Sequence, residues 1–165
     1  MSDFDEVALS AARDALLNSA RTVLMSAAGE DRDLPEMGVT PMVRHEGAFY
    51  IYPSHLSAHV RAMLSAGKAA FLVIEDEASA QNIWARRRMK FDADILEIDR
   101  ENETFQPVCD AFAMAHGPTM ALIRDFTDFH LLKLQPTGGV MVLGFAKAYR
   151  LEGPGLRVTS HLRSS

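Results

Sequence analysis

Apolar residues recur at helical spacing near the start of the chain and at strand spacing over most of the rest. The helical segment covers residues 3–20, and the prediction places Ser2 at its N-cap. Its apolar positions are Phe4, Val7, Ala8, Ala11, Ala15 and Leu16. Because this face is rich in small residues, we expect it to pack closely on the domain or on a second subunit.

From residue 21 onward, short stretches rich in apolar residues, often alternating with polar ones, predict a series of strands. The predicted strands cover residues 22–27, 38–44, 48–52, 69–74, 86–99, 128–135 and 140–150. Pro41 interrupts the second of them, which indicates an edge or a bulge. Most connections are too short for parallel crossovers, so the strands are expected to pair in antiparallel fashion.

Further helices are predicted at residues 54–66, 102–116 and 118–124, with a helical turn near 79–84. Gly67 is the expected C-cap of the first of these. Residues 136–139, reading PTGG, are predicted to join the last two strands, and residues 156–165 form a polar tail. The pattern therefore predicts one α+β domain over residues 1–165, centred on a small antiparallel barrel of six or seven strands.

Composition narrows the classes of function. With 165 residues, 48% hydrophobic and 24% charged, the chain has the profile of a soluble globular protein. A formal net charge of −5 disfavours broad affinity for nucleic acid. The single cysteine excludes an internal disulfide and a cysteine-cluster metal site. No apolar run is long enough to cross a bilayer and the acidic N-terminus differs from a signal peptide, so a cytoplasmic protein without membrane contact is expected.

Three arginines, residues 86–88, stand at the entrance of a predicted strand that continues MKFDAD. Each is a permanent planar donor suited to a carboxylate or a phosphate. The acidic residues 75–77 follow the preceding strand, so at least one arginine is expected to pair with them. Most arginine clusters are solvated rims, so the residues alone leave open which anion, if any, the strand end holds.

Several other residues are weaker candidates for a functional role. His55 and His59 lie four apart on the predicted helix and would share one face, which is half of a metal site; the alternative is a histidine bonded to backbone near Pro53. Cys109 lies in an apolar helical stripe and is expected to be a small core residue. Hydrolase-elbow, P-loop and dinucleotide fingerprints are absent. His161 in the tail is either solvated or carried over a cofactor as a ligand.

Five motifs in order give the sequence a family resemblance: SHLSAH (54–59), IEDE (74–77), ARRRMKFD (85–92), TDFHLLKLQP (127–136) and GFAKAY (144–149). Together they resemble the haem-utilisation proteins of the HugZ type, within the wider superfamily of pyridoxamine 5′-phosphate oxidase and its FMN-binding relatives. The resemblance runs from about residue 21 to the C-terminus. It implies a split β-barrel and a homodimer whose small-molecule ligands lie in clefts between the subunits.

The resemblance also separates two cofactors. Oxidase members hold the FMN phosphate partly with an Arg-Lys pair just before an Ala-His; here Ala58 and His59 match the Ala-His, but Leu56 and Ser57 replace the basic pair. A dianionic phosphate without those cations loses charge-assisted bonds worth about 1.5–3 kcal/mol each. FMN is therefore the disfavoured alternative.

Haem is the cofactor that the HugZ-type branch implies. His161 is then the axial ligand of the haem iron, and Asp128 lies near that histidine across the dimer interface. Arg88 lies in the haem pocket, where it pairs with a propionate or donates to an oxygen species, and His59 is a further cofactor-binding candidate. The implied function is haem binding in iron utilisation, as storage or as oxidative degradation with an external reductant, with Asp128 and Arg88 assisting. The alternatives are an FMN-dependent oxidoreductase and a small-ligand barrel with neither cofactor.

Overall fold

The computed structural model describes residues 4–163, which form an α+β fold with a six-stranded antiparallel β-barrel and peripheral helices. The helices are α1 Glu6–Ser19, α2 Ala58–Ala66, α3 Phe105–His116 and α4 Thr119–Ile123. The strands are β1 Thr22–Ala27, β2 Glu36–His45, β3 Ala48–Ile51, β4 Lys68–Ile74, β5 Arg88–Ile98, β6 Leu131–Gly144, β7 Lys147–Glu152 and β8 Arg157–Leu162. Their order is β3-β2-β1-β4-β5-β6-β7-β8, and β3 also pairs with β6. None of the described helices is long and apolar enough to cross a membrane.

The chain divides into two compact units built from alternating segments. Unit I comprises residues up to 20, 70–93 and 136 onward, and unit II comprises residues 21–69 and 94–135. In unit I, the carboxyl half of β6 pairs with β7 and β7 pairs with β8. Helix α1 is tied to the turn before β8, because Arg13 Nη1 donates to the carbonyl oxygen of Leu156 at 3.0 Å. Phe71 and Phe91 stack in the core of this unit with ring centroids 5.3 Å apart.

Unit II contains the antiparallel meander β1–β2–β3, as predicted. Strand β2 changes partner at Pro41: residues 36–41 pair with β1, whereas residues 42–45 pair with β3. Helices α3 and α4 cover this meander with an apolar cluster. Its buried members are Val43, Tyr50, Tyr52, Phe105, Val108, Cys109, Phe112, Met120 and Leu131. The prediction that Cys109 is a core residue is confirmed.

Helix α1 exists and the predicted burial of Leu16 is confirmed, but most of the predicted apolar face is exposed. Leu9, Leu16 and Leu17 are buried, whereas Val7 is 83% exposed. Three further predicted core positions, Ala8, Ala11 and Ala15, are also exposed. The predicted apolar face followed the alanines, although a leucine side chain gains far more free energy from burial than an alanine does. Asp5 caps the helix by accepting from the Ala8 N–H at 3.1 Å; the predicted cap Ser2 lies outside the described residues.

The last third of the chain differs most from the prediction. Residues 136–139 do not connect two strands but lie inside the continuous strand β6, and the hairpin turn comes at Phe145 and Ala146. A Cβ at Gly139 would overlap the carbonyl oxygen of Lys90 and lie 2.8 Å from Phe91 Cα. Glycine therefore marks a close approach of two strands here. The predicted polar tail contains strand β8, whose Val158 is buried. Residues 4–163 therefore contain eight strands, whereas the predicted barrel of six or seven strands is confirmed at six.

The segment after β3 was predicted correctly at its end and wrongly at its start. Gly67 is the C-cap of α2 in the left-handed conformation, with φ +70°. The helix begins at Ala58, however, and residues 54–57 form a turn. Leu56 in this turn is 74% exposed, whereas Val60 and Met63 of the helix are buried. His55 therefore precedes the helix and does not share a face with His59.

Alkaline pH is expected to weaken unit II, because its buried acids hold their protons tightly. Burial raises the pKa of the Cys109 thiol above its ordinary value of 9.0, and burial is also the main cause of the raised pKa values of Tyr50 and Tyr52. The unfolded chain loses these protons first, so the free energy of unfolding should fall as the pH rises above about 9. Urea unfolding at about pH 8 and about pH 10 measures this fall, and Cys109→Ala should make it shallower. Equal slopes in the two proteins would contradict the assignment to Cys109.

Candidate ligand-binding site

His161 lies on strand β8, in register with Tyr149 of β7, and the two rings stack with centroids 5.1 Å apart. Its Nε2 is 2.7 Å from the carbonyl oxygen of Ala146, which can only accept, so Nε2 carries the proton. The lone pair is therefore on Nδ1, where the side chain of Arg163 donates at 3.3 Å. The half-buried imidazole has a fixed tautomer and keeps a nitrogen that a metal can use.

The arginine run is held mainly by backbone groups. Arg86 donates to the carbonyl oxygen of Glu75 and forms an ion pair with Glu77 at 3.5 Å, which confirms the predicted pairing with the acidic run. Arg87 is exposed, and its backbone N–H donates to the Glu75 carboxylate at 2.8 Å. Half-buried Arg88 donates through Nη1 to the Arg86 carbonyl at 3.0 Å. The planar guanidinium of Arg88 has five N–H donors, so it retains donors for an anion beyond this one bond to backbone.

Asp128 is held in unit II by a serine of the turn before α2. Its Oδ2 accepts from the Ser54 hydroxyl at 2.5 Å, and the Ser54 oxygen also accepts from the Leu56 N–H at 3.1 Å. The carboxylate thus retains its second oxygen for another donor. Asp128 precedes β6 and does not begin it, because the backbone at 129 makes an isolated bridge to Ser54 before the strand starts at Leu131.

His59 lines a cavity of about 440 Å³ in unit II. The walls are mainly apolar, with hydroxyl and imidazole groups at their edges. They are formed by Val39, Thr40, Pro41, Tyr52, Pro53, Ser54, Ser57, His59, Val60, Phe112, His116, Thr119, Met120, Ile123 and Phe129. The His59 ring lies over the backbone of Gly38, where any Cβ would collide with it. Because Ser54 is also in the wall, the cavity brings His59 and the serine partner of Asp128 together.

The four predicted site residues divide equally between the units. His161 and Arg88 belong to unit I, and His59 and Asp128 belong to unit II. Sequence reasoning did not select His116, whose Nε2 donates to the Met42 carbonyl at 3.0 Å beside the cavity. Its place in the last turn of α3 was the available signal, since histidines at helix ends often bond to backbone carbonyls.

A second group that sequence reasoning did not select is Arg100, which fixes the connection between α4 and β6. Its guanidinium donates to the carbonyls of Arg124 and Phe126 at 2.8 and 2.5 Å, and to Phe129 at 3.2 Å. It also reaches the Tyr52 hydroxyl at 3.3 Å. Arg100 therefore holds the connection that carries Asp128 through hydrogen bonds within unit II.

Comparison with known proteins agrees with this architecture. No protein-family profile matches the chain. The chain is 29% identical to heme oxygenase HutZ of Vibrio cholerae over 142 residues. The alignment covers 86% of this chain and 81% of HutZ. This similarity confirms the resemblance to haem-utilisation proteins that the sequence motifs gave.

Solved structures show the same fold for this chain. Campylobacter jejuni ChuZ superposes with a TM-score of 0.85 at 24% identity, over 98% of this chain but only 64% of ChuZ. HutZ from Vibrio cholerae, described as a heme storage protein, superposes with a TM-score of 0.72 at 21% identity and covers 88% of this chain and 96% of its own. A heme binding protein from Mycobacterium smegmatis gives a TM-score of 0.77 at 12% identity, over 95% of this chain and 62% of its own. At these identities the structures establish the fold alone.

Proposed function

We propose that this protein binds haem and serves in haem iron utilisation, with His161 as the axial ligand of the iron. The observation that carries the proposal is the imidazole itself. Its Nε2–H is fixed by the Ala146 carbonyl at 2.7 Å, which leaves the Nδ1 lone pair for a metal. An outer hydrogen bond of this kind orients a ligating histidine and raises its basicity. The relation to heme oxygenase HutZ supports haem as the group that supplies the metal.

The residues of unit I fit a haem group. The Arg163 side chain is the local competitor for Nδ1, and its 3.3 Å contact with His161 is long enough to yield to a coordinate bond. Arg88 would bind a propionate, because its fork keeps donors beyond the single bond to the Arg86 carbonyl. Tyr149, stacked on His161, holds the imidazole plane while the ligand enters.

We further propose a homodimer in which Asp128 of one subunit faces His161 of the other. The carboxylate of Asp128 retains an oxygen beyond its bond to Ser54 and can accept a hydrogen bond. In that arrangement Asp128 orients the ligand side of the pocket, and the apolar cavity beside Ser54 keeps water from it. When bound, haem would supply oxygen chemistry that degrades its own ring and releases iron, with electrons from an external reductant.

FMN bound in the oxidase manner is not favoured by the turn before α2. Leu56 is 74% exposed and carries no charge. The nearby Arg61 of α2 donates to the carbonyls of His55 and Leu56, both at 2.8 Å. Its guanidinium is therefore used to hold the turn, and no basic pair faces the position that a phosphate would need.

A haem titration followed by absorbance and light scattering tests the proposal in one experiment. The wild-type protein should produce a shifted Soret band that saturates at one haem per chain, on a particle of twice the chain mass. An unshifted band would overturn haem binding. A shifted band on a particle of single-chain mass would overturn the intersubunit role of Asp128 while leaving His161 as the ligand.

A further inference from the structure

Three side chains of unit II stand in series outside the proposed haem residues. The Glu97 carboxylate and His130 Nδ1 are 2.5 Å apart, and His130 Nε2 and His55 Nδ1 are 2.6 Å apart. The two rings are tilted by 47° with centroids 4.9 Å apart, so they face each other edge to edge and do not stack. We call Glu97, His130 and His55 the imidazole pair site.

Backbone pairing sets the geometry of the imidazole pair site. The N–H of His55 donates to the carbonyl of Asp128 at 2.9 Å, and the N–H of His130 donates to the carbonyl of Pro53 at 2.9 Å. Ser54 and Phe129 form the antiparallel bridge between these two bonds. The two histidines therefore lie on paired segments, and the register of this backbone pairing brings their side chains together.

The protonation pattern suits a metal. A carboxylate can only accept, so Glu97 places the proton of a neutral His130 on Nδ1 and leaves a lone pair on Nε2. That lone pair points at the second imidazole nitrogen, on His55. Transition-metal sites commonly use two imidazole nitrogens that converge on the ion. The other ring nitrogen of such a ligand often donates to a carboxylate, as His130 does to Glu97.

The Glu97 side of the site favours a cation. Glu97 and His130 line a cavity of about 480 Å³ together with Asp99 and Glu101. Arg100 lines it too, but its guanidinium is directed at backbone carbonyls. The histidines are half-buried, so water can reach the remaining coordination positions. In residues 4–163 no group of three or more candidate ligands converges as a complete protein cage, so water must complete the shell.

We propose that His55 Nδ1 and His130 Nε2 bind a divalent transition-metal ion of the Zn²⁺, Co²⁺ and Ni²⁺ class, with Glu97 orienting His130 and water as the remaining ligands. A tetrahedral ion with bonds of about 2.0–2.1 Å needs its two nitrogens about 3.3 Å apart. The 2.6 Å pair must therefore open slightly when the ion enters and displaces the shared proton. The site uses none of the side chains proposed to hold haem, so its metal binding can be tested without haem.

Titration of the untagged protein with Co²⁺ and with Zn²⁺, by visible absorbance and by calorimetry, tests the proposal. Wild-type protein should bind one ion per chain, with visible Co²⁺ bands that Zn²⁺ abolishes. His55→Gln and His130→Gln should each remove the bands. Glu97→Gln should weaken binding by about 10–100-fold, the usual cost of losing an outer-shell partner. Circular dichroism checks that each variant is folded.

Two controls separate this site from other histidines and from haem. His45→Gln changes an imidazole outside the site, and His161→Ala removes the proposed haem ligand; both should bind Co²⁺ as the wild type does. Binding weaker than about millimolar in the wild type, or bands retained in both His55→Gln and His130→Gln, would overturn the proposal and leave only a hydrogen-bonded imidazole pair. A Co²⁺ signal lost in His161→Ala would place the metal at the proposed haem ligand instead.

Discussion

The substitution His161→Ala is expected to weaken haem binding by more than about 100-fold, beyond the 10–100-fold that loss of an outer-shell partner costs. Alanine removes the only proposed coordinate bond between protein and iron, while the stacked Tyr149 and the β7–β8 register stay in place. Hydrophobic contact with the porphyrin would remain, but the Soret band should lose the signature of an imidazole ligand. Haem titration followed by absorbance gives both the affinity and the band position.

Rescue and a matched histidine make the result specific. Added imidazole should restore the band position in His161→Ala, because it refills the space left by the missing ring. His45→Ala, which removes an imidazole at the far end of β2, should bind haem as the wild type does. If His161→Ala keeps the wild-type spectrum, another residue ligates the iron and the axial assignment fails.

The substitution Gly139→Ala is expected to lower the free energy of unfolding by about 3 kcal/mol, at the upper end of the usual cost of overpacking. The new Cβ would overlap the Lys90 carbonyl oxygen and approach Phe91 Cα to 2.8 Å. These are main-chain atoms of β5, so they cannot rotate away as a flexible side chain would. Urea unfolding of the variant and of the wild type measures the difference as a shift in midpoint.

Gly155→Ala is the matched control, because nothing lies within 4 Å of a Cβ at that glycine. It should change stability by less than about 0.5 kcal/mol. Equal effects of the two substitutions would mean that the loss in Gly139→Ala does not come from the close approach of β5 and β6.

The early strands could be predicted from the sequence, whereas β6 to β8 could not. Over residues 22–52 short stretches rich in apolar residues are separated by polar loops, and the turn at His45, Glu46 and Gly47 contains a glycine with φ +79°. In β6, the letters PTGG satisfy every local rule for a turn. They serve instead a contact with β5, more than forty residues away in sequence. Local pattern carries no information about such an approach.

The site shows the same division. The five motifs located His59, Arg88, Asp128 and His161, because each belongs to or follows a recognisable segment. They could not show that Ala146, in a left-handed turn with φ +57°, presents its carbonyl to His161. Nor could they pair His55 with His130, 75 residues apart. Predicting His55 on a helix placed it beside His59, whereas the register of two paired segments turns it towards β6.

Strand β8 changes what may safely be altered at the carboxyl end of the described chain. Residues 157–162 pair along β7, and Val158 is buried. Shortening the chain to residue 156 would therefore expose the hydrogen-bonding groups of β7 as an uncovered sheet edge, which favours intermolecular strand addition. Self-association of such a truncated protein would reflect this exposed edge and would say nothing about haem.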